Sequence, residues 1–99
     1  MFLIVESGST KADWVAVKPS GDASFYHTRG LNPATQHTFF DLNQDEKLLE
    51  SIIQAQFIFF YGAGVINEVA KDKIKTWLQA LGAIGTIEVN SDLLAACRA

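Results

Sequence analysis

The amino-acid sequence predicts a single α/β domain, a mixed five-stranded sheet with flanking helices. Two continuous apolar runs, Phe2 to Val5 and Phe57 to Tyr61, have the pattern of strands in the middle of a sheet, buried on both faces. Two later segments, around Leu48 to Ile53 and Asn67 to Leu81, repeat their apolar residues at helical spacing and alternate with strand-like runs. At 99 residues there is room for one domain and not for a second.

Each element can be justified in turn. After Phe2 to Val5, the residues Glu6 to Lys11 make a turn, and Ala12 to Lys18 returns as a second strand carrying Trp14, Val15 and Val17. Pro19-Ser20-Gly21-Asp22 is a strong turn signal, and Ser24 to Thr28 completes an antiparallel meander. Gly30-Leu31-Asn32-Pro33 breaks the pattern, because proline biases the residue before it away from the helical region. A first helix starts at Asn43, with Glu46 near capping-box spacing and Leu48, Leu49, Ile52 and Ile53 as its core stripe. The Phe57 to Tyr61 strand ends in the flexible turn Gly62-Ala63-Gly64. A second helix, from about Asn67 to Leu81, buries Val69, Ala70, Ile74, Trp77, Leu78 and Leu81 and stops at Gly82. Ile84 to Val89 is the last strand, and a third helix begins near Ser91 or Asp92, either of which can cap it. The order β-β-β-α-β-α-β-α with the first and fourth strands central is the ribonuclease-H-like layout. Its β1-turn-β2 connection separates it from Rossmann and P-loop domains, where a helix follows the first strand.

Composition narrows the function. A net charge of −3 and a pI near 5.2 argue against a nucleic-acid partner, which would require excess Lys and Arg. Lys71, Lys73 and Lys75 are interrupted by Asp72 and preceded by Glu68, the mark of a solvated helix face. Cys97 is the single cysteine, so no disulfide framework or thiolate metal site is expected, and a reducing cytoplasm fits. Phe2 to Val5 lacks a basic flank and is cut short by Glu6, so neither a signal peptide nor a membrane span is expected. With 48% hydrophobic and 19% charged residues the chain is slightly apolar for a free-standing domain of this length, which implies surface meant to be covered.

The stretch richest in chemistry is Glu6-Ser7-Gly8-Ser9-Thr10-Lys11. A tight turn between strands leaves backbone N–H groups pointing outward, Gly8 admits a large anion close to the main chain, and Ser7, Ser9 and Thr10 add hydroxyl donors. Lys11 adds a positive charge, and Glu6 can hold a divalent cation. Taken alone, the same residues also suit an ordinary β-hairpin. The P-loop pattern is excluded, since Lys11 follows a lone Gly8 and a strand comes next; the dinucleotide fingerprint is excluded because Asn67 stands where its third glycine belongs. The Asn32 amide, held on a stiff loop, reads as a donor and acceptor for hydroxyl or acetamido groups, or as an Asx-type turn. Asp92 reads as a helix cap, or as a carboxylate at a strand end placed to take the proton of an attacking hydroxyl.

Four spaced segments together resemble one family. Glu6 to Trp14, Gly30-Leu31-Asn32-Pro33, Phe60-Tyr61-Gly62-Ala63-Gly64 and Ser91-Asp92-Leu93-Leu94-Ala95-Ala96 are similar, in order, to the N-terminal half of bacterial N-acetylglucosamine kinase-like proteins. These share an ATPase family with the benzoyl-CoA reductase activators (the BadF/BadG type), within the actin, sugar kinase and heat-shock chaperone superfamily. The resemblance implies that Gly8, Ser9, Thr10 and Lys11 lie against the phosphates of ATP, with Glu6 near magnesium. It implies that Asn32 binds the amino sugar and that Asp92 binds its hydroxyl and acts as general base. Two positions depart from many relatives: Glu6 replaces Asp, and Ala12 replaces Thr.

Members of that family are two-lobed and considerably longer. By the resemblance, residues 1–99 are the N-terminal lobe, truncated at the hinge to a missing second lobe and inactive alone. An uncovered apolar surface follows as an expectation, open to the second lobe or to a second copy of the chain. Two other readings remain at this point. One is an activator-type ATPase, for which Cys97 alone gives no support; the other is a non-catalytic sugar-binding or assembly module that keeps the hairpin for structure.

Overall fold

The computed structural model describes residues 1–8, 10–33, 45–65 and 67–91. Its elements are β1 (Phe2–Ser7), β2 (Lys11–Val17), β3 (Ala23–Arg29), α1 (Glu46–Gln54), β4 (Phe57–Gly62), α2 (Glu68–Ala80) and β5 (Thr86–Ser91). The five strands form one mixed sheet in the order β3-β2-β1-β4-β5. β1 is antiparallel to β2, as β2 is to β3, whereas β1–β4 and β4–β5 are parallel. Hence β1, β3, β4 and β5 all run the same way and end at one edge of the sheet.

Among the described residues the hydrophobic core lies on one face of the sheet. Leu3, Val5, Trp14, Ile58, Phe60, Ile87 and Val89 alternate along their strands and meet Leu48 and Ile52 of α1 and Ile74 and Leu78 of α2 in a single cluster. Trp14 is wholly buried, with its indole N–H donating to Thr28 Oγ1 at 2.8 Å and its ring 6.4 Å from that of Trp77. Both described helices therefore cover the same side of the sheet.

The opposite face corrects the expectation that β1 and β4 are buried on both sides. Phe2 is 46% exposed and Phe57 40%, and with Phe59 they form an aromatic cluster with centroids 5.9 to 6.4 Å apart. Val15, opposite Ile4, and Phe25, opposite Val15 and 69% exposed, extend that face across the sheet. A continuous apolar run says that both sides of a strand are apolar; it does not say that this chain supplies both covers.

Several boundaries move for local reasons. Asn43 lies outside the described residues, and the cap of α1 is Asp45, whose carboxylate accepts from the Leu48 N–H. Ile53, placed in the core stripe, is 40% exposed at the rim. In α2, Asn67 caps the first turn by accepting from Ala70 N–H, but Val69 points outward at 77% exposure. That helix stops as expected: Gly82 has φ +110°, its N–H donates to the Gln79 carbonyl, and the Ala83 N–H donates to the Leu78 carbonyl, the Schellman arrangement. The last strand starts at Thr86 rather than Ile84, which is 86% exposed. Gly85 sits against the Ala55 and Gln56 carbonyls too tightly for a side chain, and the Thr86 N–H opens the pairing by donating to the Gln56 carbonyl. Ser91 is the last residue of β5; the helix expected after it lies outside the described residues. Among the described residues no helix is long and apolar enough to cross a membrane.

Candidate functional site

The common edge of β1, β3, β4 and β5 gathers the segments singled out in the sequence. The β1–β2 turn, the Gly30 to Pro33 loop after β3, the turn after β4 and the end of β5 at Ser91 all lie along it. Register makes this concrete. Ser7 is opposite Ala12 and Gly62, Ala12 is opposite Thr28, and Gly62 is opposite Ser91, a single row across the whole sheet. Ser9 and Asp92 lie outside the described residues.

Strand alternation separates Glu6 from Ser7. Glu6 is exposed on the face without helices, between its register partners Asp13 and Tyr61, and Asp13 Oδ1 is 2.7 Å from His27 Nδ1. Lys11 and Arg29 are register partners two steps further out, both exposed. Two cations thus stand beside the turn, with the carboxylates of Glu6 and Asp13 two register rows behind.

Ser7 points the other way, and its proposed role as a hydroxyl donor to ligand is corrected. It is 3% exposed, and its Oγ accepts the Leu31 N–H at 2.7 Å while lying 3.1 Å from the Gly8 carbonyl and 3.3 Å from the Leu31 carbonyl. Its hydroxyl is used inside the protein. The outward N–H of Gly8 is also used, donating to the Lys11 carbonyl at 2.8 Å to close the turn. Thr10 and the Lys11 side chain remain exposed.

Gly8 itself has no conformational reason to be glycine. Its φ is not positive, and an added Cβ would meet nothing nearer than the Lys11 carbonyl at 3.6 Å, an ordinary contact. The other glycines at this edge differ. At Gly62 a Cβ would run into the Phe60 ring, and Gly64 has φ +79°. The missing side chain at Gly8 leaves its main chain open to close approach of an anion, space that a methyl would occupy.

Asn32 is buried at 8% exposure beside the fully buried Leu31, in a loop held on its far side by Lys73 of α2, whose ammonium is 3.5 Å from the Pro33 carbonyl. Among the described residues no group of three or more His, Cys, Asp and Glu could hold a metal ion. A single carboxylate such as Glu6 nonetheless fits magnesium bound mainly through phosphates and water, the usual manner of that ion in phosphoryl-transfer sites.

The fold is that of a known kinase-like protein. The chain is similar to the crystal structure of a protein from Porphyromonas gingivalis proposed to be an N-acetylglucosamine kinase, with 31% identity and a TM-score of 0.74. That similarity covers 99% of this chain but 36% of the other, so this chain spans a little over a third of its neighbour's length. The resemblance carried by the four sequence segments thus extends to the whole described fold. No protein-family model matches the chain, and no curated protein matches it.

Proposed function

We propose that this chain is the N-terminal lobe of an ATP-dependent amino-sugar kinase with a ribonuclease-H-like, actin-type ATPase fold, acting with a second lobe that closes over the same edge. The observation that carries the reading is that the motif segments, scattered along the sequence, end at one edge of the sheet around a glycine the turn does not itself require. The likeness to the P. gingivalis protein supports it.

In this reading Gly8, Ser9, Thr10 and Lys11 hold the phosphates, Glu6 holds magnesium through its water shell, Asn32 binds the acetamido or hydroxyl groups of N-acetylglucosamine or a similar sugar, and Asp92 orients the attacking hydroxyl and takes its proton. ATP with magnesium supplies the transferred phosphoryl group and neutralises its charge. The chain's own contribution is positioning. β1 and β5 are fixed through β4 in one parallel register, so Ser7 and Ser91, the last residues of the two strands, keep a set separation across Gly62. The aromatic face of Phe2, Phe57 and Phe59 is the natural seat for the second lobe or, without it, a second copy. A cytoplasmic setting suits ATP and the single cysteine.

The test is calorimetric titration with magnesium-ATP and, separately, N-acetylglucosamine, repeated on Thr10→Ala and Asp92→Asn. Weak binding of each ligand, lost in the matching variant, is the expected result. A folded chain that binds neither ligand overturns the claim that this lobe carries half-sites of its own.

A further inference from the structure

Ser7 belongs to none of the ligand contacts just proposed, yet it touches both the start of the phosphate turn and the loop that carries Asn32. Its main-chain carbonyl accepts the Ala63 N–H at 2.9 Å, tying β1 to the turn after β4. Its Oγ accepts the Leu31 N–H at 2.7 Å across 24 residues, tying β1 to the loop that carries Asn32. The single hydroxyl proton goes to the Gly8 or the Leu31 carbonyl, so the same atom also faces the start of the phosphate turn. Ser7 and Leu31 are both buried, where an unmet N–H has no water to turn to.

We propose that Ser7 is a positioning residue that locks the Asn32 loop to the Gly8 turn, setting the distance between the sugar and phosphate subsites. The proposal rests on the kinase reading for what the two subsites hold, but the lock itself does not. Beside this bond, the Leu31 side chain is fully buried in the core, Pro33 lacks an N–H, and the Lys73 ammonium is 3.5 Å from the Pro33 carbonyl. The neighbours of Ser7 in its row, Ala12 and Gly62, are small, which leaves the hydroxyl free to reach sideways to Leu31. An aliphatic side chain would fill the same space without holding the loop.

The experiment compares Ser7→Ala and Ser7→Thr with the parent protein by amide hydrogen exchange and by calorimetry. In Ser7→Ala the Leu31 amide is expected to exchange at least about tenfold faster, while strand amides of Phe25 and His27 keep their protection. Ser7→Thr, which keeps the oxygen, restores the Leu31 protection. In the same Ser7→Ala protein the affinity for N-acetylglucosamine falls about tenfold and that for magnesium-ATP changes by less than about twofold. Uniform loss of protection in Ser7→Ala marks a general folding defect; Ser7→Thr then decides, since unprotected Leu31 in that folded variant overturns the lock. Unchanged Leu31 exchange in Ser7→Ala overturns it as well. A loosened loop with unchanged sugar affinity overturns the positioning role. If the parent protein binds neither ligand while Leu31 still depends on the Ser7 oxygen, the kinase reading fails and the loop lock stands.

Discussion

Gly8→Ala separates a turn built for its own sake from a turn built for a ligand. Were Gly8 needed by the hairpin, replacing it would strain the backbone or crowd a neighbour. Neither holds, because φ is not positive and the new methyl meets the Lys11 carbonyl at 3.6 Å. Alanine at such a compatible site restricts the unfolded chain and stabilises by about 0.4–1 kcal/mol. For a domain of this size that raises Tm by about 2 to 8 °C. The methyl also occupies the space through which a phosphate would approach, and a tenfold loss of magnesium-ATP affinity corresponds to about 1.4 kcal/mol. Gly62→Ala is the control of opposite sign. Its Cβ runs into the Phe60 ring in a fully buried position, an overpacking worth about 1–3 kcal/mol of destabilisation. Thermal unfolding followed by circular dichroism, with calorimetric nucleotide titration of the same samples, reads both effects. A Gly8→Ala protein that melts several degrees lower would refute the conformational argument, and one that melts higher yet binds nucleotide as before would refute the cradle.

Three further outcomes are expected. Trp14→Ala removes the largest fully buried side chain and its bond to Thr28; it should cost about 3–5 kcal/mol, read as a large drop in the denaturation midpoint. Asn67→Ala deletes the cap of α2 and should cost about 1 kcal/mol in chemical denaturation, with the fold retained. Phe57→Lys places a charge in the half-exposed aromatic cluster; sedimentation should show less self-association than the parent chain, at a stability cost near that of one aromatic pair, about 0.5–1.5 kcal/mol, and equal sedimentation would rule this face out as a contact between copies.

The strands and α2 were legible because their signals are local. Gly21, with φ +92°, turns β2 into β3 where Pro19 to Asp22 predict it, and Gly82 ends α2 one residue past its last apolar position. What failed to show was set by partners far away in sequence. β5 starts at Thr86 because Gly85 must pass the Ala55 and Gln56 carbonyls, a constraint invisible in Ile84 to Val89 read alone. Val69 is apolar and helical, but it sits on the first turn of α2, on the side turned away from the sheet. Phe2 and Phe57 matched a doubly buried strand because hydrophobicity records that a face is meant to be covered, not which part of a protein covers it.

For the site, the period-two rule already contained the point that residue chemistry obscured. Leu3 and Val5 face the core, so Ser7 must face it too, and Glu6 must join Phe2 and Ile4 on the open side. Reading the turn as a set of polar residues merged two opposite directions into one cradle. Once they are separated, the segment divides its labour: Glu6, Thr10 and Lys11 stay exposed toward whatever approaches the edge, while Ser7 turns inward to the Asn32 loop. Gly8 stands at the change of direction, and its missing side chain is explained by neither half of the protein.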